Sequence, residues 1–194
     1  MTPPLHNNES EVVLNPIQSF DTSVLNFIQN NMTCGVFDAV MPFISALGNS
    51  AFIWIVIGIV FLCLKKYKVF GINVLIALIL CGLIGNLGLK PLFARVRPYD
   101  IYTDVVLLIP RPRDYSFPSG HTMSSFAAAA VMFRYNKRFG GLACLLASAI
   151  AFSRLYLYVH FPTDIIGGIV VGTGIGIAAV FLVETVGDKI GRSN

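Results

Sequence analysis

Apolar and polar positions divide the chain into an amphipathic N-terminal part and five apolar runs. The first forty residues hold no long apolar stretch, and no Lys or Arg occurs before residue 65. Asn15 followed by Pro16 reads as a helix start, because proline at the first helical position gives up an N–H that has no partner there anyway. Ile17, Phe20, Val24, Phe27 and Ile28 then recur at helical spacing. Such a stripe suits a helix lying in a membrane interface, and equally a helix packed on its neighbours; the missing basic residues give it little hold on anionic lipid. The five runs follow at residues 51–64, 69–89, 119–133, 140–158 and 165–183. A membrane-spanning helix needs about 20 residues. The second, fourth and fifth runs meet that length alone, whereas the first must borrow from residues 43–50 and the third from residues beside Pro118 and Tyr135. The expected fold is therefore all-α: a transmembrane bundle of about five or six spans. Residues 1–36 form its amphipathic, interfacial N-terminal segment and residues 37–194 its membrane-embedded domain.

Composition agrees with this pattern and excludes other classes. Of 194 residues 55% are apolar and 12% charged, with a mean hydropathy of +0.72, whereas soluble domains carry roughly 25% charged residues. Such hydropathy also excludes disorder, and 4 Cys are too few for a disulfide scaffold. Cys63, Cys81 and Cys144 fall in apolar runs and Cys34 near an interface, without metal-ligand spacing, so they read as small hydrophobes. The N-terminus lacks the basic region of a cleavable signal peptide, so insertion is expected to use the spans themselves.

Charge changes the picture through its position. The net +4 is not spread along one basic face, as nucleic-acid binding requires, but sits in clusters between apolar runs. Lys65, Lys66 and Lys68, then Arg134, Lys137 and Arg138, then Lys189 and Arg192 fall on one side of five alternating spans. The positive-inside rule makes that side cytoplasmic in a multi-pass cell-membrane protein. The opposite side then holds the connection over residues 90–118 and the turn at His160. Yet that connection carries Lys90, Arg95, Arg97, Arg111 and Arg113. Cations kept on the wrong side ask for another reason, such as an anionic ligand.

Three polar segments fall at the outer helix ends: residues 90–98 (KPLFARVRP), 118–121 (PSGH) and 153–164 (SRLYLYVHFPTD). On a continuous helix Lys90 and Arg97 would share one face two turns apart, a point charge and a bidentate fork suited to a phosphate. They also suit snorkelling cations at a helix end. In PSGH, Pro118 would enter a helix whose first turn holds Ser119, Gly120 and His121. Its free N–H groups make an anion site, with His121 placed to protonate a leaving oxygen. The same four residues also read as a capped helix start with an incidental histidine. Arg154 and His160 flank a turn, and Asp164 sits in the first turn of the last helix. Such an Asp can accept from one nitrogen of His160 and leave the other nitrogen free as a nucleophile, or simply tie the loop to the helix.

Together the ordered pattern K-x6-RP, PSGH and SR-x5-H-x3-D resembles the type 2 phosphatidic acid phosphatase superfamily, in its small bacterial membrane branch. The superfamily also holds vanadium haloperoxidases and glucose-6-phosphatase, and residues before about Phe37 are not covered. The resemblance implies that Lys90, Arg97, Ser119, Gly120 and Arg154 hold a phosphoryl group. His160 would attack phosphorus, Asp164 would orient it, and His121 would protonate the leaving oxygen and then activate water. It implies neither metal nor cofactor. The implied substrates are lipid phosphates or diphosphates drawn from the bilayer: undecaprenyl diphosphate, phosphatidylglycerol phosphate or phosphatidic acid. Arg95, Arg111 and Arg113 lie outside the pattern and read either as ligands for a second phosphate or lipid head group, or as solvated loop charges. The competing functional reading is a membrane protein that binds an anion or transports lipid without turnover. Soluble haloperoxidase chemistry fits five apolar runs poorly.

Overall fold

The computed structural model describes residues 16–191, with side chains to residue 186; the first fifteen residues and the third basic cluster, Lys189 and Arg192, lie outside those described side chains. Among the described residues there is no strand. The elements are α1 (Pro16–Asn31), α2 (Gly35–Leu47), α3 (Phe52–Cys63), α4 (Lys68–Leu80), α5 (Lys90–Phe93), α6 (Pro98–Ile101), α7 (Gly120–Tyr135), α8 (Lys137–Tyr156) and α9 (Pro162–Gly191). The expected all-α bundle is what forms.

Three segments are long and apolar enough to cross a membrane: Lys65–Ile101, Lys137–Tyr156 and Pro162–Val186. A fourth span arises if Gly35–Leu47 and Asn49–Cys63, bent by 50°, count as one. The bend coincides with Ser50 and Ala51, both left-handed at φ 49° and 59°. Within the first segment α4 runs into a π-helical stretch, Cys81–Leu89, and then into α5. α7 has 16 residues, short of the roughly 20 a span needs, and is enclosed by its neighbours. Large apolar side chains such as Ile79, Leu142, Leu145, Val170 and Phe181 are exposed on the outer helices. A soluble monomer does not present so much apolar surface to water. The chain is a membrane protein.

Local signals explain the element boundaries. Asn136 accepts from the N–H groups of Arg138 (2.9 Å) and Phe139 (3.2 Å), capping α8, while its own N–H closes α7 on Met132 O. Pro98 and Pro162 stand at the first positions of α6 and α9, where a missing N–H costs nothing. The core centres on α7, whose Met123, Ala127, Ala128 and Val131 are buried. Gly168, Gly172 and Gly176 of α9 lie against it, four residues apart, and a Cβ on Gly172 or Gly176 would collide with the α7 backbone at Met123 or Ala127. Small residues at this spacing let two helix backbones approach closely where lipid supplies no hydrophobic drive. Trp54 of α3 is fully buried and donates its indole N–H to Ser125 Oγ at 2.8 Å.

α1 lies on this bundle through Asp21, Leu25 and Ile28, while Ile17, Phe20 and Phe27 stay exposed. The apolar stripe read from spacing is thus split: Ile28 packs inward, and three of its members face out.

Candidate active site

Lys90 and Arg97 do not share a helix. α5 ends at Phe93, Ala94 is left-handed at φ 42°, and Arg97 is extended ahead of Pro98. The two-turns-apart geometry expected from spacing is replaced by a loop that folds Arg97 back. Both side chains are nevertheless almost fully buried and meet on one carboxylate, Asp114. Lys90 Nζ donates to its Oδ2, and Arg97 Nη2 to its Oδ1 at 2.7 Å. Arg97 Nε donates to Asp114 O at 2.8 Å. Partial burial alone would raise the Asp114 carboxyl, but Lys90 and Arg97 pull it down to about 2.

Ser119 caps α7. Its Oγ accepts from Thr122 N–H at 3.5 Å and from Thr122 Oγ1 at 3.0 Å, leaving its own proton free to donate. A Cβ on Gly120 would lie 3.8 Å from Lys90 Nζ, so this backbone borders the cation directly. His121, one residue on, has Nε2 at 2.9 Å from Asn49 Oδ1 in the α2–α3 bend. Arg154, near the end of α8, donates through Nη1 to Ser45 Oγ, while its buried Nε has no hydrogen-bond partner. A buried guanidinium N–H left unpaired is a costly arrangement.

His160 lies in the turn between α8 and α9 and is 1% exposed. Its Nε2 is 3.2 Å from Arg97 Nη1, and its Nδ1 is 3.4 Å from Ser116 Oγ and 3.5 Å from Asp164 Oδ2. A guanidinium can only donate. Nε2 therefore accepts, and the ring proton of neutral His160 sits on Nδ1, facing Ser116 and Asp164. Burial first, then the Arg97, Arg154 and Lys90 cations, hold this imidazole well below the usual histidine range, with Asp114 opposing them. Asp164 Oδ2 accepts from Ser116 Oγ and from Phe161 N–H at 2.8 Å.

The structure thus brings the sequence-derived residues together. Lys90, Arg97, Gly120, His121, Arg154 and His160 line one cavity of about 1070 Å³. Ser119 and Asp164 are fully buried beside them. The same cavity is lined by Ile55 of α3 and by Leu75 and Ile79 of α4, an apolar wall continuous with the cationic pocket. Cations, helix N–H groups and a neutral imidazole accepting at Nε2 suit a tetrahedral anion whose tail is apolar.

Arg95 departs from both readings of it. It is neither a free ligand for a second phosphate nor a solvated loop charge, because its guanidinium is bound to Asp21, Thr163 and Asp164 and stacks 4.3 Å over the Phe161 ring. Arg111 and Arg113 are exposed, with Arg111 over the Tyr99 ring at 5.4 Å. Four residues of the site escaped the sequence reading: Asp114, Ser116, Asn49 and Asp21. Asp114 and Ser116 lie only four and two residues before Pro118, but nothing in RPRDYSF distinguishes them from loop polarity. Asp21 did carry a signal, as a lone acid on the face of α1 that holds Leu25 and Ile28.

Known proteins resemble the chain over most of its length. The sequence model of the PAP2 superfamily matches residues 70–188. The undecaprenyl-diphosphatase of Sulfolobus acidocaldarius is 29% identical over 167 residues, covering 86% of this chain and 80% of the relative. Phosphatidylglycerophosphatase B of Bacillus subtilis is 30% identical over 165 residues, covering 79% and 76%. Among solved structures, the transmembrane PAP2-type phosphatidylglycerolphosphate phosphatase from Bacillus subtilis superposes with a TM-score of 0.71 at 28% identity, covering 91% of this chain and 88% of that one.

Proposed function

The chain belongs to the PAP2 superfamily, and we propose that this lipid phosphatase hydrolyses a lipid phosphate or diphosphate through a phosphohistidine at His160. The observation that carries the reading is the state of His160: Nε2 accepts beside the cationic pocket while Nδ1–H is backed by Ser116 and Asp164. In the proposed first step the Nε2 lone pair forms a bond to phosphorus as the bond to the leaving oxygen breaks, and His121 gives that oxygen a proton. Ser116 and Asp164 stabilise the charge arriving on the ring through Nδ1–H, and Lys90, Arg97, Arg154 and the α7 N–H groups meet the equatorial oxygens. In the second step water attacks phosphorus, His121 takes its proton, and the N–P bond breaks to free His160 and inorganic phosphate.

The substrates this reading favours are undecaprenyl diphosphate, phosphatidylglycerol phosphate and phosphatidic acid. Each presents an anionic head to the cations and an apolar tail to the α3–α4 wall, so entry is lateral, from the bilayer. The site belongs on the extracytoplasmic face, because Lys65–Lys68 and Arg134–Arg138 occupy the opposite helix ends from Lys90, Gly120 and Arg154. The test is phosphate release by detergent-purified wild type and His160→Ala on those three lipids, with EDTA present. Wild type should turn over at least one of them, and His160→Ala should fall at least about a thousandfold while staying folded. Turnover retained by His160→Ala would remove the phosphohistidine. No release by folded wild type would leave anion binding or lipid transport.

A further inference from the structure

A carboxylate on the N-terminal helix reaches the catalytic pair. Asp21 of α1 is fully buried and takes hydrogen bonds on both oxygens: Oδ1 from Thr163 N–H at 2.9 Å, Oδ2 from Thr163 Oγ1 at 2.6 Å and from Arg95 Nη2 at 2.5 Å. The other terminal nitrogen of Arg95, Nη1, donates to Thr163 Oγ1 at 2.7 Å and to Asp164 Oδ1 at 2.5 Å. One rigid guanidinium therefore bridges two fully buried carboxylates at the start of α9. The second of these is the carboxylate that backs His160. Asp21 lies outside residues 70–188, the stretch matched by the family.

We propose that Asp21, acting through Arg95, is a positioning residue for the Asp164–His160 pair, so that α1 is a working part of the active site. This rests on the reading of His160 as nucleophile. The physical reason lies in the donor set of Asp164. Its Oδ2 accepts from Ser116 and Phe161 N–H and faces His160 Nδ1 at 3.5 Å, and on the Oδ1 side the Arg95 side chain holds it. Arg95 could otherwise swing onto Asp164 alone and neutralise it, which would weaken the support for positive charge on His160. Asp21 takes half of that guanidinium and keeps the balance. The fork matters here as much as the charge, since one Lys ammonium does not span two carboxylates in fixed geometry.

The test is the pH profile of kcat and kcat/KM for Asp21→Asn, Arg95→Gln and Arg95→Lys, beside wild type and His160→Ala, on a lipid phosphate the wild type hydrolyses. His160 also faces Lys90, Arg97, Asp114, His121 and Arg154, and none of these changes in the variants. Asp21→Asn leaves Arg95 less balanced, disfavours the imidazolium, and should move the acid limb of kcat/KM down by about half a pH unit. Arg95→Gln frees Asp164 for His160 and should move the limb up by a similar amount. Both should lose about tenfold in kcat with KM little changed, because neither side chain touches phosphate. Arg95→Lys keeps the charge and loses the fork, so its kcat should fall with the limb unmoved. Misfolding lowers the amount of active enzyme but leaves the limb where it is, so the limb is decisive and any one folded variant reports it. An unmoved limb in Asp21→Asn and Arg95→Gln, whatever their kcat, or shifts of both in the same direction, overturns the proposal while His160→Ala stays inactive. An active His160→Ala overturns the nucleophile reading instead.

Discussion

Asp114 supplies the site with an internal anion. Its carboxylate takes hydrogen bonds from Lys90 and Arg97; in the proposed reaction a phosphoryl group would receive those bonds, so the substrate would have to displace Asp114. Removing that competitor should tighten binding. Asp114→Asn is expected to lower the inhibition constant of inorganic phosphate about three- to tenfold, measured as inhibition of lipid hydrolysis; an unchanged constant would mean that the carboxylate yields at no cost. The same substitution leaves Lys90 and Arg97 buried together without their counter-charge, so its melting temperature should fall and recover when phosphate is added. Sign follows from the depressed carboxyl. Because Asp114 goes from 3.8 to about 2 in the folded protein, its contribution is fully present above the ordinary carboxylate range and is lost as pH falls towards 2. Wild type should therefore lose melting temperature below about pH 4 more steeply than Asp114→Asn, and parallel curves would refute the ion pair as the cause. None of this was legible in the sequence. The pairing crosses 24 residues to Lys90 and 17 to Arg97 through an irregular connection, whereas Lys90, Arg97, His160 and Asp164 announced themselves by residue type and spacing.

Helix packing places these residues, and one glycine pair on α9 separates packing from propensity. Gly172 is buried against the α7 backbone at Met123, while Gly174, two residues on, is exposed with nothing near a Cβ. Gly172→Ala must push α9 away from α7, the helix that carries Ser119, Gly120 and His121, and should cost about 1–3 kcal/mol. Gly174→Ala meets no atom and should stabilise by about 0.5–1 kcal/mol through better helix propensity. Thermal unfolding of the two variants in one detergent checks the opposite signs; equal shifts would show that close approach at Gly172 does not limit the fold. The helices themselves were readable, since long apolar runs admit little else in a membrane. Their interruptions were not. The bend at Ser50 and Ala51 and the break at Ala94 put non-glycine residues in left-handed conformations, which local sequence preference disfavours and tertiary contacts impose.

At the scale of the molecule, among the described residues, the basic clusters Lys65–Lys68 and Arg134–Arg138 and the candidate site lie at opposite helix ends. The segment Lys65–Ile101 runs from the basic cluster at Lys65, Lys66 and Lys68 to the clamp at Lys90 and Arg97, and α8 runs from Lys137 and Arg138 to Arg154. Under the proposed function, a lipid phosphate bound at those far ends would keep its head beside the membrane surface and its tail against Ile55, Leu75 and Ile79, which line the cavity. Orientation decides which leaflet supplies it. Asp104 lies in the connection that carries Asp114, and Lys137 lies at the opposite end of α8, so the two positions report opposite faces. Cys34 and Cys63 are exposed and must first be replaced, to leave a background that does not react. In that background an impermeant thiol reagent added to intact cells should label Asp104→Cys and reach Lys137→Cys only after permeabilisation. The reverse pattern would turn the site towards the cytoplasm, and the basic clusters would then stand against the positive-inside rule. The cations at Arg95 and Arg97 give the expected pattern its physical sense. They are paired with Asp21, Asp114 and Asp164, which satisfy their charges locally; in the proposed orientation this leaves the clusters around Lys65 and Lys137 to set topology.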